Sequence, residues 1–437
     1  MKRLSYALLA VLIPFQSGYA QDLLETYQLA LQNDPDYKVS DINKLSTAEI
    51  KSQSIAQMLP NVSANASTLA NRINNQKASF LGSGMQDYWD HSFAINLKQP
   101  VFNLGQWIQL DQSDNKIAQA EADFQAKQQA LIRKTSEAYF NILAAQDNLE
   151  FTIAERKAIE KELEQAKQRF EVGMIAITDV YEAQAGYDSA LASEIEALNK
   201  VDNSKEALRE ILGNNLAELN KLQKNIPLNK PVPENLDEWT DSAQGNNFSV
   251  ISQLNQAEFI RKTISLQQSK HLPTVDLIAK YYIQDNGNKF GFRGDNENIG
   301  LQLNLPLFES GATASRVRQA EYDYEAAKQE LIKVKRSITR NVKDAFRGVV
   351  SNVSRIKALD ATAQSAEKAV EAAEAGFEVG TRTMVDVLTE QRSLFKARSD
   401  YARSRYDYLI NGIKLKEAAG SLSEADLQQI NQYLERL

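Results

Sequence analysis

A glycine-containing motif occurs twice in this chain. The first copy is Phe170-Glu-Val-Gly-Met-Ile-Ala-Ile-Thr-Asp-Val180, and the second is Phe377-Glu-Val-Gly-Thr-Arg-Thr-Met-Val-Asp-Val-Leu388. Gly173 and Gly380 are 207 residues apart in the sequence (380 − 173 = 207), and Asp179 and Asp386 are separated by the same number of residues. Equal spacing at two points indicates an internal tandem duplication. The fold must therefore contain two similar halves, each with this motif at a corner.

The motif has the residues of a helix end followed by a helix start. Gly173 and Gly380 can adopt the left-handed backbone conformation that closes an α-helix. Thr178 and Thr383 follow a few residues later, and a threonine hydroxyl can accept a hydrogen bond from the first free N–H groups of a helix. We therefore predict a helix-closing turn at each glycine and an N-terminal cap at each threonine.

The composition excludes several kinds of site. The chain has 437 residues, 43% of them hydrophobic, which is enough for a large core. It has no cysteine and only two histidines, which argues against disulfides, thiol chemistry and histidine-rich metal sites. The formal net charge of −7 disfavours a nucleic-acid partner, because such binding requires a basic face. We expect no cofactor and no metal.

Residues 1–20 have the pattern of a secretory signal peptide. Lys2 and Arg3 form a charged start, the run from Ala7 to Phe15 is apolar, and Ala20 is a small residue at the cleavage position. A retained membrane helix is the weaker interpretation, because the segment is short and Pro14 interrupts it. The rest of the chain has no comparably long apolar run. We expect an exported protein without a transmembrane helix.

The first structural repeat is predicted over residues 21–226. Val62, Ala64 and Ala66 alternate with polar residues, which is the period of a half-exposed strand. Farther along, apolar residues recur every three or four positions, as in a coiled coil. In chain order the predicted elements are short helices within 22–58, strands at about 60–71 and 91–102 with a loop over 73–90 between them, and long helices at about 104–170 and 179–212.

The second structural repeat is predicted over residues 227–437, after a proline-containing linker. Its details echo the first half: Leu208-Arg-Glu210 precedes Gly213, and Leu415-Lys-Glu417 precedes Gly420. In chain order the predicted elements are a helix over 248–271, strands at about 273–283 and 299–308, long helices at about 310–377 and 384–419, and a C-terminal helix.

Four amphipathic strands and very long helices restrict the architecture. Four strands are too few to close a barrel, since the smallest membrane barrels have about eight. Several copies of the chain must therefore share one barrel. An exported chain with strands of membrane-crossing length and no apolar helix indicates the outer membrane of a Gram-negative bacterium, with outer-membrane lipid around the strands. The helices would then extend into the periplasm as a coiled coil.

The sequence resembles the TolC-type outer-membrane efflux and export channels over nearly the whole mature chain. The resemblance rests on four segments: Arg169-Phe-Glu-Val-Gly173, Ala176-Ile-Thr-Asp-Val180, Ala375-Gly-Phe-Glu-Val-Gly-Thr-Arg-Thr-Met-Val-Asp-Val-Leu388 and Tyr408-Leu-Ile-Asn411. It implies an α+β membrane protein that forms a homotrimer, with a twelve-stranded barrel, four strands from each chain, continued by a periplasmic α-helical coiled-coil tunnel. It further implies docking to a periplasmic adaptor (membrane fusion) protein and an inner-membrane RND or ABC transporter.

The resemblance assigns polar links that hold the periplasmic end closed. Thr178 and Asp179 would bond to Arg382, within and between protomers. The alternative for Thr178 and Asp179 is helix capping, and for Arg382 an ordinary exposed charge. The family aromatic residue at this link is a tyrosine whose hydroxyl bonds the aspartate. Here the position is Phe377, which has no hydroxyl.

A second family link joins a glutamine to a glutamate. In this chain the two positions are Glu162 and Glu374, two acids that repel each other unless something bridges them. We therefore expect a looser periplasmic clamp than the family pattern provides.

The resemblance also assigns a ring of carboxylates at the narrowest point of the pore. The ring residue is Asp386, three copies of which would favour cations over anions. The alternative is that Asp386 merely occupies a first helical turn, where the helix dipole favours an acid. The family's second acid is replaced here by Thr389, and Glu390 is placed to substitute for it.

Three classes of function follow from these observations. The first is a passive outer-membrane exit duct for tripartite efflux or type I protein secretion, opened on docking to its partners. The second is a periplasmic coiled-coil scaffold or adaptor, which would not need four amphipathic strands. The third is an enzyme, but the sequence has no Ser/His/Asp grouping, phosphate-binding glycine loop or metal-ligand spacing. We therefore predict a channel and not an enzyme.

Overall fold

A computed structural model describes residues 20–79, 82–213, 216–288 and 291–435. The predicted signal peptide thus lies outside the described residues apart from Ala20. The helices and strands, in chain order, are α1 (Leu23–Asn33), α2 (Pro35–Gln57), β1 (Asn61–Ser79), β2 (Gly82–Phe102), α3 (Leu104–Glu171), α4 (Ile177–Leu212), α5 (Leu236–Asn246), α6 (Phe248–Ser269), β3 (Thr274–Asn286), β4 (Arg293–Asn304), α7 (Ala312–Glu378), α8 (Met384–Ala418) and α9 (Glu424–Asn431).

The chain divides into two compact units. One comprises Met1–Ser40, Gln125–Asn247 and Arg336–Leu437, and the other comprises Asp41–Phe124 and Phe248–Lys335. The second unit contains the whole β-sheet. The first contains α4, α5, α8, α9 and both turns of the repeated motif, so the candidate site lies within that single unit.

The sheet is antiparallel throughout, in the order β1-β2-β3-β4. Its apolar side chains form a band that runs obliquely across the strands. Val62 pairs with Leu97, and the same row continues through Ala279 to Ile299. On β1 the apolar residues continue from this row to Ala70, toward the turn between β1 and β2. On β4 they continue to Leu303, which pairs with Val275 at the start of β3 and so lies toward the opposite end of the sheet. An oblique band is what tilted strands require if they cross a flat membrane.

The first hairpin is longer than the sequence pattern indicated. Residues 73–90, predicted as a loop, are mostly paired: the ladder continues through Asn74 opposite Met85 to Asn75 opposite Gly84. Ladder hydrogen bonds come from the backbone, so polar side chains do not prevent pairing. An ion pair between Arg72 and Asp87, 2.7 Å from Nε to Oδ1, joins the strands across this polar stretch.

The last strand is displaced from its predicted position. β4 covers Arg293–Asn304, whereas the leucine alternation predicted 299–308. Pro306 explains the early end, because proline has no N–H for the ladder. The early start has the same reason as the long first hairpin, since the polar run before Ile299 pairs with β3 through its backbone.

The long helices α3 and α7 have 68 and 67 residues. At 1.5 Å per residue each is about 100 Å long. In the first unit, α3 packs with α1, α4, α8 and the C-terminal segment around a core that includes Tyr27, Phe140 and Leu208. The buried hydroxyl of Tyr139 donates to the carbonyl oxygens of Gln21 and Asn220. None of the helices in the described ranges is both long enough and apolar enough to span a bilayer.

Candidate channel gate at the two helix turns

The two copies of the motif form the same turn. Gly173 and Gly380 have φ angles of 76° and 78°, the left-handed region that glycine occupies without steric penalty. Each glycine follows a long helix and donates its N–H to the carbonyl three residues back, that of Phe170 at 2.9 Å and that of Phe377 at 3.1 Å. The duplication is therefore retained in the backbone geometry of the turns.

One further hydrogen bond completes each helix end. The N–H of Met174 reaches the carbonyl of Arg169, and the N–H of Thr381 reaches the carbonyl of Gly376, both at 2.8 Å. This five-residue span is the Schellman arrangement, which satisfies carbonyls that a helix end would otherwise leave free. It makes each turn short and well defined, so the following helix can reverse direction at once.

Helix α4 does not begin with the predicted cap. Its N-cap is Ala176, which has no side chain for capping, and Thr178 is already the second residue of the helix. The repeat offset explains the error, because Ala176 and not Thr178 occupies the position that Thr383 has in the second half. Thr178 is exposed and Asp179 is half-buried in the first turn.

Helix α8 begins with the predicted cap. The hydroxyl of Thr383 accepts from the Asp386 N–H at 3.2 Å, while Asp386 Oδ2 accepts from the Thr383 N–H and hydroxyl, each at 2.9 Å. This reciprocal capping box satisfies two donors at the helix start. The hydrogen bonds from Thr383, together with the nearby charge of Arg382, lower the pKa of Asp386. Within one chain, Asp386 therefore has the helix-start role that was the alternative to a pore ring.

Glu390 lies one helical turn beyond Asp386 and is half-buried. Thr389 takes the place of the family's second acid. Its hydroxyl donates a hydrogen bond to the carbonyl oxygen of Val385 at 2.7 Å. The two carboxylates thus lie along one side of the first turns of α8.

Arg382 is exposed at the second turn. Its aliphatic stem lies over Gly376, where a Cβ would come within 2.6 Å of the Arg382 Cγ. Among the residues that the structure describes, no hydrogen bond or ion pair joins Arg382 to Thr178 or Asp179. The structure therefore does not bring these three predicted link residues together within one chain.

Phe377 packs beside an apolar cluster next to the turns. The cluster joins α3, α4 and α8, and its members are Ile159, Leu163, Ala166, Ala183, Ala190, Met384 and Leu388. The guanidinium of Arg169 lies 5.2 Å from the centre of the Phe377 ring, within cation–π distance. In place of a tyrosine hydroxyl bond, this aromatic residue therefore offers its ring face to a cation.

Glu162 and Glu374 lie close enough to influence each other. Burial and the charge of Glu374 raise the pKa of Glu162, and Lys161 and Arg169 partly offset this. The Nε2 of Gln391 is 3.3 Å from Glu374 Oε1, so an amide from α8 contacts one of the two acids. Sequence reasoning missed Gln391, although the repeat offset places Gln184 at the matching position of α4.

The model of the family described as "Outer membrane efflux protein" matches residues 26–214 and 239–421. The two matched segments cover most of both repeats. This chain belongs to the outer membrane efflux protein family. The predicted resemblance is thereby confirmed.

Individual relatives agree with this assignment. The chain is 36% identical over 420 residues to "Outer membrane protein TolC" of Vibrio cholerae, covering 94% of each protein. It is 26% identical over 421 residues to "Alkaline protease secretion protein AprF" of Pseudomonas aeruginosa, covering 95% of this chain and 88% of that protein. The crystal structure of the Campylobacter jejuni CmeC outer membrane channel has the same fold, with a TM-score of 0.80 at 17% identity, covering 100% of this chain and 98% of that one.

The predicted fold is confirmed: each chain supplies four strands and a set of long helices, as in a solved outer membrane channel. The protein lies in the outer membrane and extends into the periplasm. It is an outer membrane efflux duct and not an enzyme, and family membership decides against a periplasmic scaffold.

Proposed function

We propose that this outer membrane efflux protein is opened from its periplasmic end by a periplasmic adaptor working with an inner-membrane RND or ABC transporter. The observation that carries this proposal is the pair of matching turns. Each follows an α-helix of about 100 Å and exposes apolar side chains, Val172 and Met174 on one turn and Val379 on the other. Exposed apolar residues at the end of a long helix pair suit a protein partner.

The closed state would be held by Arg382 of one copy and by Thr178 and Asp179 of its neighbour. An arginine–carboxylate link is directional and stronger than a neutral hydrogen bond. Two features support the proposal. Arg382 is exposed, and no hydrogen bond or ion pair of the Asp179 side chain occurs in the described part of the chain. Both groups are therefore free to meet a second copy.

Asp386 would serve both as a helix-start acid and as a pore residue. Its three capping hydrogen bonds all involve the backbone N–H or one carboxylate oxygen, Oδ2. Capping therefore keeps the group ionised and fixes its position without using Oδ1. Three such carboxylates around one axis, with Glu390 one turn away, would form a cation-selective constriction.

A site-specific photo-crosslinker tests the docking proposal. Introduced at Met174 or Val379, it should capture an adaptor protein, and the same cells should yield an inner-membrane transporter with that adaptor. The matched control is Val232, which is equally exposed but lies far along the chain from both turns. Capture of the same adaptor at Val232, or of channel copies alone at both turns, would contradict docking at the turns.

A further inference from the structure

An ion-pair network joins the two repeats within one chain. Arg133 of α3 places Nε 2.7 Å from Glu417 of α8, and its Nη1 lies 2.7 Å from Glu137 on α3 itself. Lys414 of α8 extends the network to Glu137 at 3.0 Å. Arg133, Glu137 and Glu417 are partly shielded from solvent, where a charge-assisted pair holds its geometry better than on an open surface. Arg133 and Glu417 therefore mark the junction between a first-repeat helix and a second-repeat helix.

The duplication reproduces this network elsewhere in the sequence. With the offset of 207 residues, Arg133 corresponds to Arg340, Glu137 to Asp344 and Glu417 to Glu210. The charge of these three members is retained, whereas Lys414 corresponds to the uncharged Ala207. Burial supports this alignment, since Ala138 and Ile142 of α3 and their counterparts Ala345 and Val349 of α7 are all buried.

The corresponding residues do not meet within one chain. Arg340, Asp344 and Glu210 are all exposed. Within the described ranges, Arg340 and Glu210 form no ion pair with each other, and neither forms one with any other residue. The second junction that the repeat predicts is therefore absent from the isolated chain, although its charges are present.

A second observation concerns the helix that carries Glu210. Apolar residues of α8 are buried beside α3 and α4, whereas the matching residues of α4 are exposed. In each matched pair the α8 residue is buried and the α4 residue is exposed. The exposed fractions are 0% for Met384 and 41% for Ile177, 4% for Leu388 and 67% for Tyr181, and 4% for Ala402 and 53% for Ile195. An apolar face that one repeat buries and the other leaves open requires a helix like α3 from outside the chain.

We infer that Arg340 of one copy pairs with Glu210 of the next copy, with Asp344 beside the arginine. In a closed ring of chains the repeats alternate, so each internal junction between α3 and α8 is followed by a junction between α7 of one copy and α4 of its neighbour. The second kind of junction repeats the contacts of the first. The partner of the exposed α4 face is therefore a second copy of this chain. The inference rests on trimer assembly and is independent of docking to an adaptor.

Cysteine crosslinking distinguishes the two junctions, because the chain contains no native cysteine. The variant Arg340→Cys with Glu210→Cys is treated with a short bismaleimide in detergent-solubilised trimers. It should give covalent dimers and trimers on a denaturing gel. The matched control is Arg133→Cys with Glu417→Cys, which should react to the same extent but remain a monomer, since its two cysteines belong to one chain.

The outcome that overturns the inference is a crosslinked monomer, or no product, from the Arg340/Glu210 variant in trimers that remain intact by size. If that variant does not assemble, co-expression of separately tagged Arg340→Cys and Glu210→Cys chains makes the same test, with a dimer carrying both tags expected. Arg340→Glu should lose the trimer band at a lower temperature than wild type, and adding Glu210→Arg should restore it. Failure of the double reversal to restore the band would refute the ion pair. Export assays are not needed for any of these readouts.

Discussion

Gln391 of α8 is almost fully buried and directs its side-chain amide at Glu374 of α7, 3.3 Å away, while Glu162 of α3 lies close enough to feel the charge of Glu374. Three helices thus meet at a polar point just above the turns, and this point holds two acids and one amide. The second acid is the unusual member, because it adds repulsion where the family pattern provides a hydrogen bond. The closed end of this channel should therefore respond to the protonation of Glu162.

The first prediction concerns pH. Burial and the charge of Glu374 raise the pKa of Glu162 above its ordinary value of about 4.5. A raised pKa means that the packed state binds the proton more tightly, so its stability is greatest when Glu162 is protonated and falls as pH rises through the raised pKa. Single-channel conductance should decrease as pH is lowered toward that range. Glu162→Gln should give low conductance at all pH values, because an amide can donate to Glu374. A Glu162→Gln channel that keeps the wild-type pH dependence would show that another group is responsible.

The second prediction concerns the proposed clamp. Arg382→Ser and Asp179→Ala should each raise conductance, since each removes a charge-assisted link worth about 1.5–3 kcal/mol. A link of that size shifts the balance of closed and open states by at least about tenfold. The double variant should add little to either single change, because both remove the same bond. Planar-bilayer recording on trimers of verified size gives the measurement, and unchanged conductance in both single variants would exclude the clamp.

The repeat made the turns predictable, and its small departures explain what was missed. The repeated Phe-Glu-Val-Gly sequence identifies Gly173 and Gly380, and residue type alone identifies Thr383 as a cap. The prediction that Thr178 caps α4 is wrong, because the threonine of the first half is displaced from the equivalent position. Alternation found the apolar parts of the strands but not the paired residues 73–90, where polar side chains leave no periodic signal.

Other contacts could not be obtained from the local sequence pattern. The contact between Gln391 and Glu374 depends on the packing of α8 against α7, and the residues next to either one in the sequence do not predict it. Arg340 and Glu210 are ordinary helix charges in the sequence. Their pairing can be inferred only when the Arg133–Glu417 ion pair is known and the repeat offset is applied to it.

The third prediction concerns the unequal helix starts. Thr383→Ala should destabilise the trimer, because loss of an N-cap side chain costs about 1 kcal/mol. Ala176→Thr makes the opposite change at the matching position of α4, where Asp179 could complete a capping box, and should stabilise by a similar amount. Thermal dissociation of purified trimers measures both effects. Equal shifts of the same sign in the two variants would contradict the capping explanation.

The last prediction concerns the pore. Three Asp386 carboxylates around one axis would create a concentrated negative field in a narrow passage, and this field should favour cations and bind multivalent cations. Asp386→Asn removes three charges from the trimer and keeps an oxygen that can accept from the Thr383 N–H, so the helix start should remain. We expect a reversal potential closer to zero in a salt gradient and weaker block by trivalent cations. Glu390→Gln should add to these changes only if Glu390 also faces the lumen.

The lowered pKa of Asp386 supplies an internal check on this assignment. Hydrogen bonds from Thr383 keep the carboxylate ionised at pH values where an ordinary aspartate, with a pKa of about 3.8, begins to be protonated. Wild-type cation preference should therefore persist to a lower pH than an ordinary aspartate would allow, while Thr383→Ala, which removes the hydroxyl, should lose the preference at a higher pH than wild type. If Asp386→Asn retains both the wild-type reversal potential and the wild-type trivalent block, Asp386 acts only in capping α8, and the selectivity of the channel must come from other residues.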